Sequence, residues 1–355
     1  MGLQFSLFRK TFRFTFDART SRGKMYDKTS WFIVARQSND SSVAGIGECG
    51  PLPGLSREPV HELDELLNSL MRKLNGLNQI SDEDIDRLVP PEFSAVRLAL
   101  ETALLDLRNG GRRIIFNNSF IQGKCIPING LIWMGNVDFM LQQVADKIAQ
   151  GYTTIKMKIG GLHFEQECEI LDYIRRRYYR ENPEIRLDAN GAFKPDEALD
   201  KLNELSRFNI HSIEQPVAPG LDIMEEICRK SPIPVALDEE LIGVVDKQRQ
   251  KKIIQVLKPA YLILKPSLHG GFQGCTRWIA MAEEYGTGWW ITSALESNIG
   301  LNAICQFTAQ FPVVRPHGLG TGQLFENNFH SPLHTHGGSI CYRTEKDWDL
   351  QELLK

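Results

Sequence analysis

From residue 126 onward the sequence alternates between short β-rich runs and amphipathic helical stretches, and this alternation constrains the fold more than any other feature. The runs are IPINGLIW (126–133), TTIKMKI (153–159), IRLDANG (185–191), HSIEQP (211–216), PVALDEE (234–240), YLILKPS (261–267), GWWITSALES (288–297) and VVRPHGLG (313–320). Helical periodicity fills intervals at 139–149, 164–180, 196–207 and 299–311. Strands that alternate with helices imply right-handed parallel βαβ units. Eight strands in about 195 residues match the size of a (β/α)8 barrel. A doubly wound open sheet competes, but no GxGxxG follows an early strand, as a dinucleotide fold requires. The expected fold class is α/β, with a (β/α)8-type barrel over 124–324.

Residues 1–123 have another texture. Apolar and polar residues alternate through Phe5, Leu7, Phe12, Phe14, Phe16, Trp31 and Ile33, which reads as two or three antiparallel strands. Helical periodicity follows at 58–74 and 94–107, so this part is an α+β unit. The polar stretch from Asp17 and the Gly/Pro-rich stretch 47–56 read as mobile loops.

Charged residues fall at or near the ends of the apolar runs: Lys156 and Lys158, Asp188, Glu214, Asp238 and Lys265. From Lys158 onward the steps are 30, 26, 24 and 27 residues, one βα repeat each. Parallel barrel strands are buried on both faces, so a charge inside one is costly unless it is paired or binds a metal. The C-terminal strand ends are where barrel active sites are built. These side chains therefore converge at one mouth, with Lys156 and Lys158 on the same side of their strand. Three carboxylates from adjacent strands are a hard oxygen set suited to Mg²⁺ or Mn²⁺, whereas zinc prefers His or Cys. Lysines beside such an ion suit proton abstraction α to a carboxylate, where the enediolate's charge must be stabilised as it forms. An amine near a divalent ion and other ammoniums is expected to have a lowered pKa.

The segments Lys156-Met157-Lys158, Asp188-Ala189-Asn190, Glu214-Gln215-Pro216, Asp238-Glu239 and Lys265-Pro266 resemble the enolase superfamily, in its muconate-lactonising-enzyme-like branch. Ser293-Ala294-Leu295-Glu296-Ser297 and the run His317 to Phe325 are similar to those of the branch's dehydratases. The resemblance implies a modified (β/α)7β barrel with an α+β capping domain over 1–123, to which 325–355 returns. It implies that Asp188, Glu214 and Asp238 bind Mg²⁺, with Mn²⁺ an alternative. Lys158 would take the α-proton and return it to a departing hydroxyl on the same face. Lys156 would neutralise the substrate carboxylate, and Lys265 would stabilise the enediolate from the opposite face. Asn190, Ser293, Leu295, Gly320 and Thr321 would contact substrate, Glu239 and Glu296 would orient the ligands, and loops 17–30 and 47–56 would close over the site. Racemases and dipeptide epimerases of the branch are the alternative activity, and a metal-binding relative without catalysis is a further one. The epimerases hold a substrate ammonium with an Asp-x-Asp pair, which is absent between Trp289 and Phe325. Small hydroxyls and glycine amides stand there instead, donors that suit a second carboxylate.

Composition narrows the partners. Lys plus Arg (41) against Asp plus Glu (44) gives a net charge of −3, far from the basic excess that phosphate binding needs, so nucleic acid is excluded as a partner. Seven scattered cysteines without a CxxC read as reduced thiols. No apolar run of membrane-spanning length occurs, and the opening MGLQFSLFRKTFRF lacks a secretory signal's apolar core, so a cytoplasmic protein without a membrane partner is expected. Arg175 to Arg180 reads as cations meeting a helix C-terminal dipole. His330, His334 and His336 read as solvated tail residues.

Overall fold

The computed structural model describes residues 2–20, 23–220 and 222–354; for residues 17, 19 and 20 the backbone alone is described. Strands β1 (Leu3–Thr20), β2 (Gly23–Gln37) and β3 (Asp40–Cys49) form an antiparallel sheet in that order. The β1–β2 ladder runs from Leu3↔Gln37 to Thr20↔Gly23, with a register shift between Arg13 and Ala18. The stretch 17–30, expected to be a mobile loop, is therefore mostly the far end of a paired ribbon; Ser21 and Arg22 lie outside the described residues. Its polar side chains misled the reading, because a ribbon that projects beyond its core needs no apolar face. Likewise residues 47–49 of the second expected loop belong to β3.

The helix Leu63–Leu74 buries one apolar side against this sheet, joining Leu63, Leu67, Leu70 and Leu74 to Trp31, Ile33 and Ala35, while Ser94–Arg108 is buried on nearly every side, between the sheet and the barrel. Gly45 and Gly47 allow the close approach: a Cβ there would stand 2.0 Å from the Ala103 carbonyl oxygen and 1.9 Å from that of Ala99.

After the short strand β4 (Ile126–Pro127), seven parallel strands follow: β5 (Gly130–Ile132), β6 (Thr154–Lys158), β7 (Glu184–Asp188), β8 (Ser212–Glu214), β9 (Val235–Leu237), β10 (Tyr261–Leu264) and β11 (Gly288–Ile291). Each neighbours the next, and a helix follows each. The eighth run contributes only His317 and Gly318. These bridge Ile128 on one side and Thr292 on the other, all parallel, and so close the cylinder. Seven βα units and a residual last strand make the modified (β/α)7β barrel.

The segment from Phe325 divides. Phe325 and Phe329 pack with Phe12 and Phe32 of the antiparallel sheet. The hairpin β12 (Leu333–His336) and β13 (Ser339–Tyr342) instead pairs with β4 at the barrel entry, burying Ile340 beside Ile126 in the barrel core.

The same pairing corrects the reading of seven reduced thiols. Ile340 opposite Ile126 brings Cys341 against Cys125, and the two are joined by a disulfide across 216 residues. Cys49, Cys168, Cys228, Cys275 and Cys305 are free. Arg175 also does more than meet a helix dipole: its guanidinium donates to the carbonyls of Phe208, Pro183 and Asn209. Among the described residues no helix is long and apolar enough to cross a membrane.

Candidate active site

Parallel register sets the site. Lys158 is opposite Asp188, and Asp188 is opposite Glu214, so three charged residues lie side by side across β6, β7 and β8. Lys156, two residues before Lys158, projects to the same interior side, while Ile155 and Met157 face the helical layer and are fully buried. Asp238 and Lys265 follow directly after β9 and β10.

The buried charges are paired. Lys156 Nζ donates to Glu214 Oε1 at 2.8 Å and lies 2.9 Å from Asp188 Oδ2. Lys158 Nζ donates to Asp188 Oδ2 at 3.0 Å and to Asn190 Oδ1 at 2.7 Å. Lys265 Nζ donates to Asp238 Oδ2. Burial would raise Asp188, but the ammoniums of Lys156, Lys158 and Lys265 outweigh it and hold the carboxyl well below its usual range. Asp238 is likewise lowered, with burial opposed chiefly by Lys265 and Lys156. Burial and the charge of Asp188 push Glu214 up to about 8.

The carboxylates act in turn on Lys156 and Lys265. Burial would lower Lys156 and Lys265, but Asp188 and Glu214 around the first and Asp238 and Glu214 around the second raise both above the ordinary lysine value.

The turns after the strands aim these groups. Asn190 has φ 46°, a left-handed conformation that Asn tolerates, and its amide N–H donates to Asp188 Oδ1 at 3.0 Å. Its side-chain amide donates to Glu239 Oε1 at 3.0 Å. Leu295, at φ 64°, is a bulky residue in the same region, which marks strain at the end of the β11 run. Glu296 braces that turn: it accepts from Ser293 Oγ (2.5 Å), the Ala294 amide (2.7 Å) and Ser267 Oγ (2.6 Å). Thr321 Oγ1 donates to Ser293 Oγ at 2.7 Å.

Above these groups lies a cavity of about 470 Å³. Lys156, Lys158, Lys265, Asp188, Asn190, Ser293, Leu295, Gly320 and Thr321 all line it, whereas Glu214, Asp238, Glu239 and Glu296 do not. The far end of the β1–β2 ribbon covers it through Gly23 to Lys28, and Leu52 and Leu55 close another side. Sequence reasoning missed Lys28, a buried lysine whose Nζ donates to the Leu295 carbonyl at 2.8 Å. The available signal was its period-2 spacing from Ser30, also buried, on one face of β2.

Among the described residues no group of three His, Cys, Asp or Glu side chains forms a ready metal cage. The Lys156 ammonium stands between Asp188 and Glu214 instead. The donor chemistry nevertheless fits a hard divalent cation: three buried carboxylates on adjacent strands feel one another's charge, and Asp238 Oδ1 has no hydrogen-bond partner.

Residues 140–345 match the family model described as enolase C-terminal domain-like. The chain is 43% identical to the o-succinylbenzoate synthase of Desulfotalea psychrophila, covering 96% of this chain and 99% of that protein. The chain belongs to the o-succinylbenzoate synthase family of the enolase superfamily. The crystal structure of MenC from Desulfotalea psychrophila LSv54 superposes with a TM-score of 0.85 at 40% identity, covering 96% of this chain and all of the other. The substrate-liganded L-Ala-D/L-Glu epimerase of Bacillus subtilis superposes with a TM-score of 0.83 at 20% identity over 96% of each chain, a likeness of fold alone. As a member of this family the chain is a divalent-metal-dependent type of enzyme, with a barrel and cap arranged as in its relatives.

Proposed function

We propose that the protein is a lyase that converts 2-succinyl-6-hydroxy-2,4-cyclohexadiene-1-carboxylate to o-succinylbenzoate by syn dehydration, a step of menaquinone biosynthesis, with Mg²⁺ as its metal. The carrying observation is that Lys158 and Lys265, on the second and sixth barrel strands, both reach the cavity wall that Asp188 shares. Strands two and six face each other across an eight-stranded cylinder, so a flat ring held between them meets an amine on each face.

Asp188, Glu214 and Asp238 are the residues that would hold the ion. When bound, a divalent ion would supply Lewis acidity toward the substrate carboxylate. Lys158 removes the proton from the carbon bearing the carboxylate, and the C–H electron pair moves into the enediolate. Lys265, an ammonium opposite, stabilises that charge where it develops and sits against the diene face. Lys156 neutralises the carboxylate. Lys158 then gives its proton to the hydroxyl, the C–O bond breaks, water leaves and the ring becomes aromatic. The amide of Gly320 would donate to the succinyl tail, beside Ser293 and Thr321, whose hydroxyl protons go to Glu296 and Ser293, and Asn190 fixes Lys158 through the 2.7 Å hydrogen bond. Residues Gly23 to Lys28 and Leu52 to Leu55 exclude water.

We assign catalysis to 124–324, capping to 1–123 with the parts of 325–355 that pack on the antiparallel sheet, around Phe325, Phe329, Leu350 and Leu353, and the enzyme to the cytoplasm, where a small-molecule carboxylate is its partner. The opposed lysines also favour a second reading, racemisation of an N-acylamino acid, in which the two act as bases on opposite faces. Solvent-deuterium exchange at an amino-acid α-carbon without aromatisation of the cyclohexadiene would select it. The direct test is aromatisation by the purified protein, followed by ultraviolet absorbance with Mg²⁺, with chelator, and after Mg²⁺ is restored. Metal-dependent aromatisation is expected; none with Mg²⁺ present, or full activity under chelation, would overturn the reading.

A further inference from the structure

The three-stranded sheet at the barrel entry carries a second cluster of ligating side chains. Its register is fixed by the turn His336-Gly337-Gly338-Ser339, in which Gly337 (φ 56°) and Gly338 (φ 66°) are both left-handed, as a two-residue hairpin turn requires. That turn places His334 opposite Cys341 and His336 opposite Ser339. On the other side β13 pairs with β4, which brings Cys125 against Cys341. Alternation then sorts the faces: Ile126 and Ile340 go into the core, while Cys125, Cys341, His334 and His336 share the outer face. All four line one open cleft, and the two imidazoles are stacked with centroids 6.1 Å apart. The cleft lies where the chain enters the barrel strands, away from the strand ends that carry the catalytic lysines.

Two histidines spaced i, i+2 on one strand, a cysteine opposite the first of them and a second cysteine beside that one put four ligating side chains on one face of the sheet, which in the oxidised protein form no ready cage. We propose that the reduced protein binds a zinc-class divalent ion through His334, His336, Cys341 and Cys125, and that the Cys125–Cys341 disulfide is the ion-free oxidised state of this site. The nitrogen and sulfur donor set selects zinc over the hard ions that suit the carboxylate cluster. Oxidation and ligation exclude each other, because a sulfur held in the disulfide is no longer a thiolate donor. The exchange balances with a dithiol reductant: the protein S–S bond breaks, two S–H bonds form, and the dithiol becomes a disulfide by giving up two electrons and two protons. Ligation then releases the two thiol protons to solvent. Cys125 and His336 are exposed, so reductant and ion both have access.

The test uses the full chain. It is reduced with a phosphine, freed of reductant and titrated anaerobically with Co²⁺ in excess Mg²⁺. Thiolate-to-cobalt charge-transfer bands saturating at one equivalent are expected in the reduced protein and absent in the oxidised one. They should fall at least twofold in intensity in Cys341→Ser, which keeps wild-type turnover with Mg²⁺, and Zn²⁺ should bleach them. A His334→Ala/His336→Ala variant retains the cysteine pair and serves if Cys341→Ser does not fold; it should lose at least tenfold in cobalt affinity. No charge-transfer band in the reduced wild type, an undiminished band in Cys341→Ser, or unchanged affinity without the histidines would each overturn the proposal.

Discussion

Replacing Lys158 by alanine separates base catalysis from the integrity of the site. Asp188 loses one of its ammonium partners but keeps Lys156 at 2.9 Å, and Asn190 keeps its hydrogen bond to Glu239 at 3.0 Å. The carboxylate cluster therefore remains compensated. The removed side chain lines the cavity, so water fills its place and the fold loses little. Losing a positioned base costs about 10²- to 10⁴-fold in turnover, equivalent to about 3–5 kcal/mol of transition-state stabilisation. Because one cation is removed beside Asp188, divalent-metal affinity should hold or rise. Steady-state aromatisation gives kcat and calorimetric titration gives the metal dissociation constant. Turnover within tenfold of wild type, or a fall in metal affinity that parallels the fall in turnover, would refute the assignment of Lys158 as the base.

Other perturbations reach the cap, the barrel seam and the fold. Glu58, pushed by burial up to about 7, accepts from the Ala95 amide at the start of the helix Ser94–Arg108. Its folded pKa lies above its unfolded one, so its contribution is fully present below about pH 4.5 and is lost as pH rises through 7, about 3 kcal/mol in all. Glu58→Gln should flatten that part of the stability profile in urea titrations and be more stable than wild type at pH 8; an unchanged slope would contradict the cause given. Lys28→Met removes the donor to the Leu295 carbonyl and should lower kcat/KM about ten- to a hundredfold, matching about 1.5–3 kcal/mol for one buried hydrogen bond to a charged group, with unchanged metal affinity. Gly318→Ala would set a Cβ 2.4 Å from Thr292 Oγ1 on the seam that closes the barrel. It should destabilise by about 1–3 kcal/mol in thermal unfolding, the cost of overpacking, and a neutral effect would show that the seam yields.

Much of this molecule is visible in its sequence because two periodicities coincide. Strand–helix alternation announces the barrel, and charged residues one repeat apart announce its mouth, where Lys158, Asp188 and Glu214 stand in register. Burying charges in strands is costly, so their presence there is informative. The eighth strand was legible only as a run of residues; its reduction to His317 and Gly318 depends on contacts from both neighbours. Only the far end of the β1–β2 ribbon, 17–30, reads as a loop in sequence, because Asp17 to Lys24 is polar and glycine-containing, and Lys28 was hidden with it. The disulfide was illegible for a different reason: Cys125 and Cys341 are 216 residues apart, and only the pairing of β13 with β4 joins them.

The most direct test of the account is single-turnover aromatisation of the cyclohexadiene carboxylate carrying either hydrogen or deuterium on the carbon that bears the carboxylate. If Lys158 breaks that bond in the step that Lys265 stabilises, the deuterated ring aromatises measurably more slowly with Mg²⁺ present. Equal rates for the two isotopologues would contradict it.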